Sequence, residues 1–306
     1  MKRTRWVAGL VAAVAWAGGV LPALAADGPR IHSAAALILD AETGEVLYER
    51  NAAAVVPIAS ITKLMTAVVV LDSGLPLDER IEITREDLAA TRGTRAQTPL
   101  TRGVALTRDE LLRLALMASE NRAAAALGRS FPGGTEAFVR AMNDKAAELE
   151  MRDTRFVEPT GLSSANVSSA ADLAKLVIEA RGYPLIREYS TAPSAEVRIG
   201  RRNATFVNTN ALVRNANWEI GLSKTGFIRE AGRCLVMHAK VAARSVVIVL
   251  LDSVGKYTRI GDANRIRQWL EPRPVRAEGP ARAPAARRQA AADGRITAQL
   301  QASALR

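Results

Sequence analysis

Apolar and polar positions alternate, or run apolar, over Ala34–Asp40 and again over Val46–Arg50. The polar stretch Ala41-Glu42-Thr43-Gly44-Glu45 lies between them, the pattern of a β-hairpin. The next block is apolar on all sides, with Ile58, Ile61, Leu64, Met65 and Val68 to Val70. It predicts a buried helix that Pro57 leads into, that runs to about Leu71, and that Gly74 and Pro76 stop. Residues 77–106 are polar and rich in Thr, Arg and Gly, so a loop or a small peripheral sheet is expected. Thr107, with Glu110 three residues on, reads as a capped helix start. Helical patterning then covers Glu110–Met117, Ala123–Leu127, Thr135–Glu150 and Ser169–Ala180, so residues 72–190 read as a largely helical lobe. After Arg198 the period changes. Glu219–Gly226, Arg233–Ala242 and Ser245–Asp252 are strand-like, the last a nearly continuous Val/Ile/Leu run suited to a strand covered on both faces. A helix over about Tyr257–Leu270 follows. The pattern predicts an α/β (α+β) domain: a sheet made by the N-terminal hairpin and three C-terminal strands, with the helical lobe inserted between them.

The two ends differ from this body. Lys2, Arg3 and Arg5 precede an apolar run, Trp6–Leu21, and Ala23-Leu24-Ala25 supplies a small-x-small site. Residues 1–25 thus read as a cleavable secretory signal rather than a membrane anchor, and imply export. Residues 272–306 are rich in Ala, Arg and Pro without a core-forming pattern, and a disordered tail is expected there. The chain's net charge of +11 is concentrated at these ends, because residues 26–271 carry only +3. The high pI therefore gives no reason to expect nucleic-acid binding by the body. The tail is at most a peripheral contact with anionic lipid or wall polymer.

One cysteine, Cys234, excludes an internal disulfide and a cysteine-based metal cluster, and its Cys-Leu-Val-Met setting reads as a buried strand. The two histidines, His32 and His238, form no metal-binding spacing, so neither a metal nor another cofactor is expected.

The candidate chemistry lies in the apolar helix. Ser60 and Lys63 are three residues apart, which returns both side chains to one helix face about 4.5 Å apart along the axis. The helix N-terminus beside Ser60 offers free N–H groups and the positive end of the dipole. A hydroxyl, an adjacent amine and a field that favours an oxyanion are the minimum set for acyl transfer. Two further elements follow in chain order. Ser119-x-Asn121 falls between two predicted helices, 59 residues after Ser60, and Lys224-Thr225-Gly226 falls in a predicted strand, 105 residues after Ser119. Glycine within a strand permits close approach by a ligand or another backbone.

The order S-x-x-K, S-x-N, K-T-G on helix, loop and strand is the set found in β-lactamases and penicillin-binding proteins. From about Ala34 to Leu270 the chain resembles the low-molecular-mass penicillin-binding proteins, the serine DD-peptidases of peptidoglycan. The resemblance extends to Phe156-x-Glu158-Pro159-Thr160-Gly161-Leu162, to Asn208-Thr209-Asn210-x-Leu212 and to Ala231-Gly232-x-Cys234-Leu235. Leu116-Met117-x-Ser119-Glu120-Asn121-Arg122 is similar to the D-alanyl-D-alanine endopeptidase branch, since typical carboxypeptidases of the family have Asp where Arg122 stands. Those carboxypeptidases also carry a C-terminal β-rich domain and an amphipathic anchor, not expected here with about 35 residues after the last helix.

The resemblance implies a β-lactamase/DD-peptidase-like fold with an antiparallel five-stranded sheet flanked by helices, and action on peptidoglycan in the periplasm. It implies Ser60 as nucleophile, Lys63 as general base and Ser119 as proton relay. It further implies Asn121 on the substrate backbone, Lys224 and Thr225 on its carboxylate, and the backbone N–H groups of Ser60 and Phe227, next to Gly226, as oxyanion hole. β-Lactam antibiotics would be covalent inhibitors. Lys63 must be neutral to accept a proton. A second amine, Lys224, about 5 Å away at an effective dielectric near 20 would oppose its charge by about 3 kcal/mol, or about two pKa units, and partial burial would lower the pKa further. Endopeptidase and carboxypeptidase action both remain open at this point. A β-lactamase needs an acid to drive deacylation, for which Glu158 is the nearby candidate, and an inert wall-binding module is the reading from another class.

Overall fold

The computed structural model describes residues 28–92 and 98–271. The expected export signal and basic tail lie outside the described residues.

Strands β1 (Ala35–Asp40) and β2 (Val46–Arg50) form the expected hairpin. A short strand, β3 (Val56–Pro57), precedes a 3₁₀ turn at Ala59–Ile61 and helix α1 (Thr62–Asp72). The polar stretch after α1 holds β4 (Arg80–Glu82), α2 (Arg85–Ala90) and β5 (Ala105–Thr107), with β4 paired to β5. Helix α3 (Arg108–Met117) begins at the predicted capping box, in which Thr107 and Glu110 satisfy each other's backbone N–H groups. Then come α4 (Asn121–Arg129), α5 (Gly134–Glu148), β6 (Val167–Ser168), α6 (Ala170–Ala180) and α7 (Pro184–Thr191). Pro57 sits in a two-residue ladder opposite Val167 instead of in a plain turn. A hairpin that the sequence reading did not anticipate, β7 (Ser194–Ile199) and β8 (Arg202–Val207), leads to the long strands β9 (Glu219–Ile228), β10 (Gly232–Val241) and β11 (Arg244–Ser253). Helix α8 (Thr258–Leu270) completes the described chain.

The main sheet has the order β2-β1-β11-β10-β9, and every neighbouring pair is antiparallel. Strand β11 is central, and its apolar run is explained by two cores. Val247, Val249 and Leu251 face the larger one, shared with α1, α3 and α6, whereas Val246, Ile248 and Leu250 face a smaller one with Ile266 of α8. Each such side chain removed from water contributes about 1.5–3 kcal/mol. Strand β9 is left at the sheet edge, and this position matters for the site.

A buried carboxylate fastens α8 to the sheet. Asp262 accepts hydrogen bonds from His32 N, Ser33 N and Ser33 Oγ at 2.6–2.9 Å, and pairs with Arg265, while Ser33 Oγ also meets Ser253 Oγ on β11. Asp262→Ala leaves these buried donors without an acceptor. It should cost about 3 kcal/mol in urea unfolding.

Candidate active site

Lys63 is fully buried in the first turn of α1, and its ammonium nitrogen has three oxygen partners. They are Ser60 Oγ at 3.0 Å, Asn121 Oδ1 at 2.8 Å and the Thr160 carbonyl at 2.5 Å. The i,i+3 geometry read from the spacing is thus realised, although Ser60 itself lies in the 3₁₀ turn that precedes the α-helix. That turn is strained, because Ala59 has φ +48°. It is buttressed by Gly161, whose φ is +79° and on which a Cβ would lie 2.1 Å from the Ala59 carbonyl oxygen. Only glycine fits there.

Across the cleft, Lys224 of β9 is equally buried and donates to Ser119 Oγ at 2.9 Å and to the Thr225 carbonyl at 3.0 Å. Ser119 occupies the turn between α3 and α4 with φ +57°, a second strained residue at the site. Thr225 Oγ1 meets Thr209 Oγ1 at 2.6 Å. A Cβ on Gly226 would come within 2.9 Å of the Ile58 carbonyl oxygen and 3.3 Å of Ser60 N, so the glycine lets β9 lie against the Ser60 turn. The register of β9 then decides where its N–H groups point. Ser223 N turns away from β10 to reach Ser190 Oγ at 3.2 Å, and the ladder continues without a shift to Phe227. Side alternation repeats every two residues, so the N–H groups of Thr225 and Phe227 also face the open edge. The structure therefore gathers Ser60, Lys63, Ser119, Asn121, Lys224, Thr225, Gly226 and Phe227 around one cleft. Asn121 also has a partner that the motifs did not indicate, since its Oδ1 accepts from Lys63.

Burial is the larger cause of the unusual Lys63 amine, and it lowers the pKa to about 8, while Glu158 and Glu120 pull it back upwards. This corrects the sequence-based expectation, which gave the principal part to Lys224. Lys224 is itself held well below the usual lysine range, first by burial and then by Lys63 and Arg259. Two amines that lose their hydration in one cleft, with no carboxylate among the described residues in ion-pair contact with either, titrate as a pair. Such a site lowers the cost of a neutral amine beside Ser60 and suits an anion beside Lys224. His238 takes no part, for its Nε2 faces Ser245 Oγ at 2.8 Å.

The sequence profile of the S11 peptidases, described as D-alanyl-D-alanine carboxypeptidases, matches residues 23–255. The chain belongs to this family. It is 52% identical over 243 residues to a D-alanyl-D-alanine endopeptidase of Pseudomonas aeruginosa, covering 79% of this chain and 78% of that one. It is 47% identical over 251 residues to the D-alanyl-D-alanine endopeptidase of Escherichia coli K12, covering 81% and 80%. Among solved structures, the Streptomyces K15 DD-transpeptidase superposes with a TM-score of 0.73 at 28% identity, covering 79% of this chain and 98% of that one. A D-alanyl-D-alanine carboxypeptidase from Mycobacterium tuberculosis H37Rv gives 0.72 at 27%, covering 81% and 94%.

In this S11 peptidase the loop after β-bridge residue Arg155 supplies parts that the motifs did not reveal. Glu158 Oε2 accepts from Thr160 N and Oγ1, both at 2.6 Å, and Oε1 accepts from Gly161 N, Ser163 N and Asn166 Nδ2 at 2.7–3.3 Å. The carboxylate folds the loop that presents the Thr160 carbonyl to Lys63 and sets Gly161 under Ser60. Glu120 likewise caps α4 through Ala123 N at 2.6 Å, and Arg122 donates to the Leu100 carbonyl at 2.8 Å. With both oxygens of Glu158 so engaged, Glu158→Gln should slow covalent capture of a β-lactam at least tenfold, because one of the loop's two acceptor oxygens becomes an NH₂ that faces donors. A water-activating role predicts the opposite, with normal capture and slowed release, and stopped-flow acylation with a chromogenic β-lactam distinguishes the two.

Proposed function

We propose that the chain is a serine-type peptidoglycan DD-peptidase that hydrolyses D-alanyl-containing cross-links through an acyl-enzyme on Ser60. The observation that carries this reading is the 3.0 Å contact between Ser60 Oγ and a buried Lys63 amine lowered to about 8. Neutral Lys63 takes the Ser60 proton as Oγ attacks the D-alanyl carbonyl carbon. The oxyanion of the tetrahedral intermediate sits between the backbone N–H groups of Ser60 and Phe227. Ser119, bonded to Lys224, relays to the departing amine the proton that Lys63 took from Ser60, so the C–N bond breaks and Lys63 is neutral again. The substrate's carboxylate lies on Lys224 and Thr225, where it supplies the counter-charge that Lys224 lacks in the free protein. Water then releases the acyl group by the same steps in reverse. Asn121 orients Lys63 through Oδ1 and leaves its amide NH₂ for the substrate backbone, while the open edge of β9 pairs with the acyl-side peptide.

Endopeptidase action is favoured over carboxypeptidase action by the names of the relatives at 52% and 47% identity; a relative called a carboxypeptidase, from Bacillus subtilis, is 33% identical. The same reading takes residues 1–25 as an export signal to the periplasm, residues 26–271 as the catalytic domain and the basic tail as a peripheral contact with the wall or membrane surface. No helix among the described residues is long and apolar enough to cross a membrane.

Three measurements test the proposal. Intact mass after incubation with benzylpenicillin should show one adduct, located on Ser60, and Lys63→Ala should abolish it while the far-ultraviolet circular dichroism stays unchanged; an adduct retained in that variant removes Lys63 from the role of base. The acylation rate should rise about tenfold per pH unit below pH 8 and level off above it, because only the neutral amine accepts the proton and the folded-state pKa is about 8. Digestion of purified wall sacculi should deplete cross-linked muropeptide dimers, whereas loss of pentapeptides alone would make the enzyme a carboxypeptidase.

A further inference from the structure

A groove of about 770 Å³ lies between the β4–β5 pair and the tip of the β7–β8 hairpin, lined among others by Arg80, Arg102, Arg198, Leu106, Gly200 and Glu110. All three arginines are exposed. Among the described residues none of them, nor Arg201 and Arg202 at the hairpin turn, forms an ion pair. Arg80 is held by the Ala105 carbonyl and Arg198 Nε lies 3.3 Å from the Gly200 carbonyl. The one carboxylate of the groove, Glu110, has an oxygen committed to Thr107 N at 2.8 Å. With three arginines against the single carboxylate of Glu110 among its described lining residues, the groove keeps surplus positive charge, a form that concentrates anions.

Two elements connect this groove to the catalytic cleft. Helix α3 runs from Glu110 at the groove to Met117, two residues before Ser119, and these seven helical steps span about 10 Å. The hairpin runs from its tip at Gly200 to Asn208 and Thr209, and Thr209 touches both Met117 O through its N–H and Thr225 through its hydroxyl. The groove therefore lies beyond Ser119, Thr209 and Thr225, on the side where the departing amine leaves, about 10–20 Å from the reacting atoms. A carboxypeptidase releases a single D-alanine, which ends at Lys224 and Thr225. An endopeptidase releases a second peptide stem, and three or four extended residues reach about 10–14 Å with free carboxylates along them.

We propose that the Arg80–Arg102–Arg198 groove binds the carboxylates of the leaving stem in a cross-linked substrate and so selects cross-links over terminal D-alanine. This inference rests on the DD-peptidase reading of the cleft and assigns its leaving-group side a specificity that the motifs do not carry. Arg102 and Arg198 are surface residues whose replacement spares the catalytic groups. The double variant R102E/R198E is compared with wild type in three assays: benzylpenicillin acylation, cleavage of a soluble D-alanyl-D-alanine pentapeptide, and cleavage of a purified cross-linked muropeptide dimer. The variant should keep the first two within twofold and lose at least tenfold in kcat/KM on the dimer, mainly through KM. Salt near 1 M, where the screening length falls to about 3 Å, should weaken wild-type dimer cleavage and leave the variant unmoved. Normal penicillin acylation with undiminished dimer cleavage overturns the groove assignment and leaves the cleft reading intact. Equal losses on pentapeptide and dimer overturn it as well, since they report damage to the shared cleft. A wild-type protein that forms no penicillin adduct overturns the cleft reading and this inference together.

Discussion

Everything in the cleft depends on holding the Lys63 amine away from water without giving it a carboxylate. An ammonium stripped of hydration is costly, and the protein answers with three neutral oxygens instead of a charge. A direct salt bridge would have stabilised the charged form and left Ser60 beside a poor base. Carbonyl and amide oxygens accept from either protonation state, so the position of the amine is fixed while its proton remains labile. The fold supplies each oxygen from a different element: the turn before α1, the start of α4 and the Glu158 loop.

That arrangement explains why the strained residues lie where they do. Ala59, beside Ser60, and Ser119 itself adopt left-handed backbone angles, and such angles persist only where surrounding structure over-determines them. Around Ala59 the determination comes from Gly161 and Gly226, which bring a loop and a strand within contact of the turn. Around Ser119 it comes from the α4 cap at Glu120 and from Lys224. Strand β9 and the helical lobe are thus two jaws, and the residues that lack or strain a side chain are at the hinge of contact between them.

Much of this was legible in the sequence because it is local. A serine and a lysine one turn apart on an apolar helix declare their contact through spacing alone, and the Thr107–Glu110 box announces its own helix. The five-stranded sheet followed from the N-terminal hairpin and three C-terminal strand-like runs, and the continuous run over β11 marked the strand covered on both faces. What the sequence hid is made by partners far apart along the chain. Thr160 reaches Lys63 across 97 residues through a carbonyl that every residue possesses, so no residue type marks it. Glu158 looked like a spare acid because its five donors are mostly backbone N–H groups, visible only once the loop is folded. The β7–β8 hairpin escaped notice because its inward side is modest, with Ala195, Val197, Ala204 and Phe206, and its tip is crowded with Arg198, Arg201 and Arg202. The origin of the Lys63 shift was also misjudged, since depth of burial cannot be read from spacing.

Strand β9 has one further consequence. An edge kept clear for a peptide substrate is a row of unsatisfied backbone groups, and such a row accepts any strand of suitable length, including one from another copy of the same protein. Here the hazard is contained by geometry. Ser190 of α7 already occupies the edge at Ser223, which interrupts the row and shortens the stretch of β9 that is free to pair. An interrupted edge suits a short peptide better than a long strand from another copy.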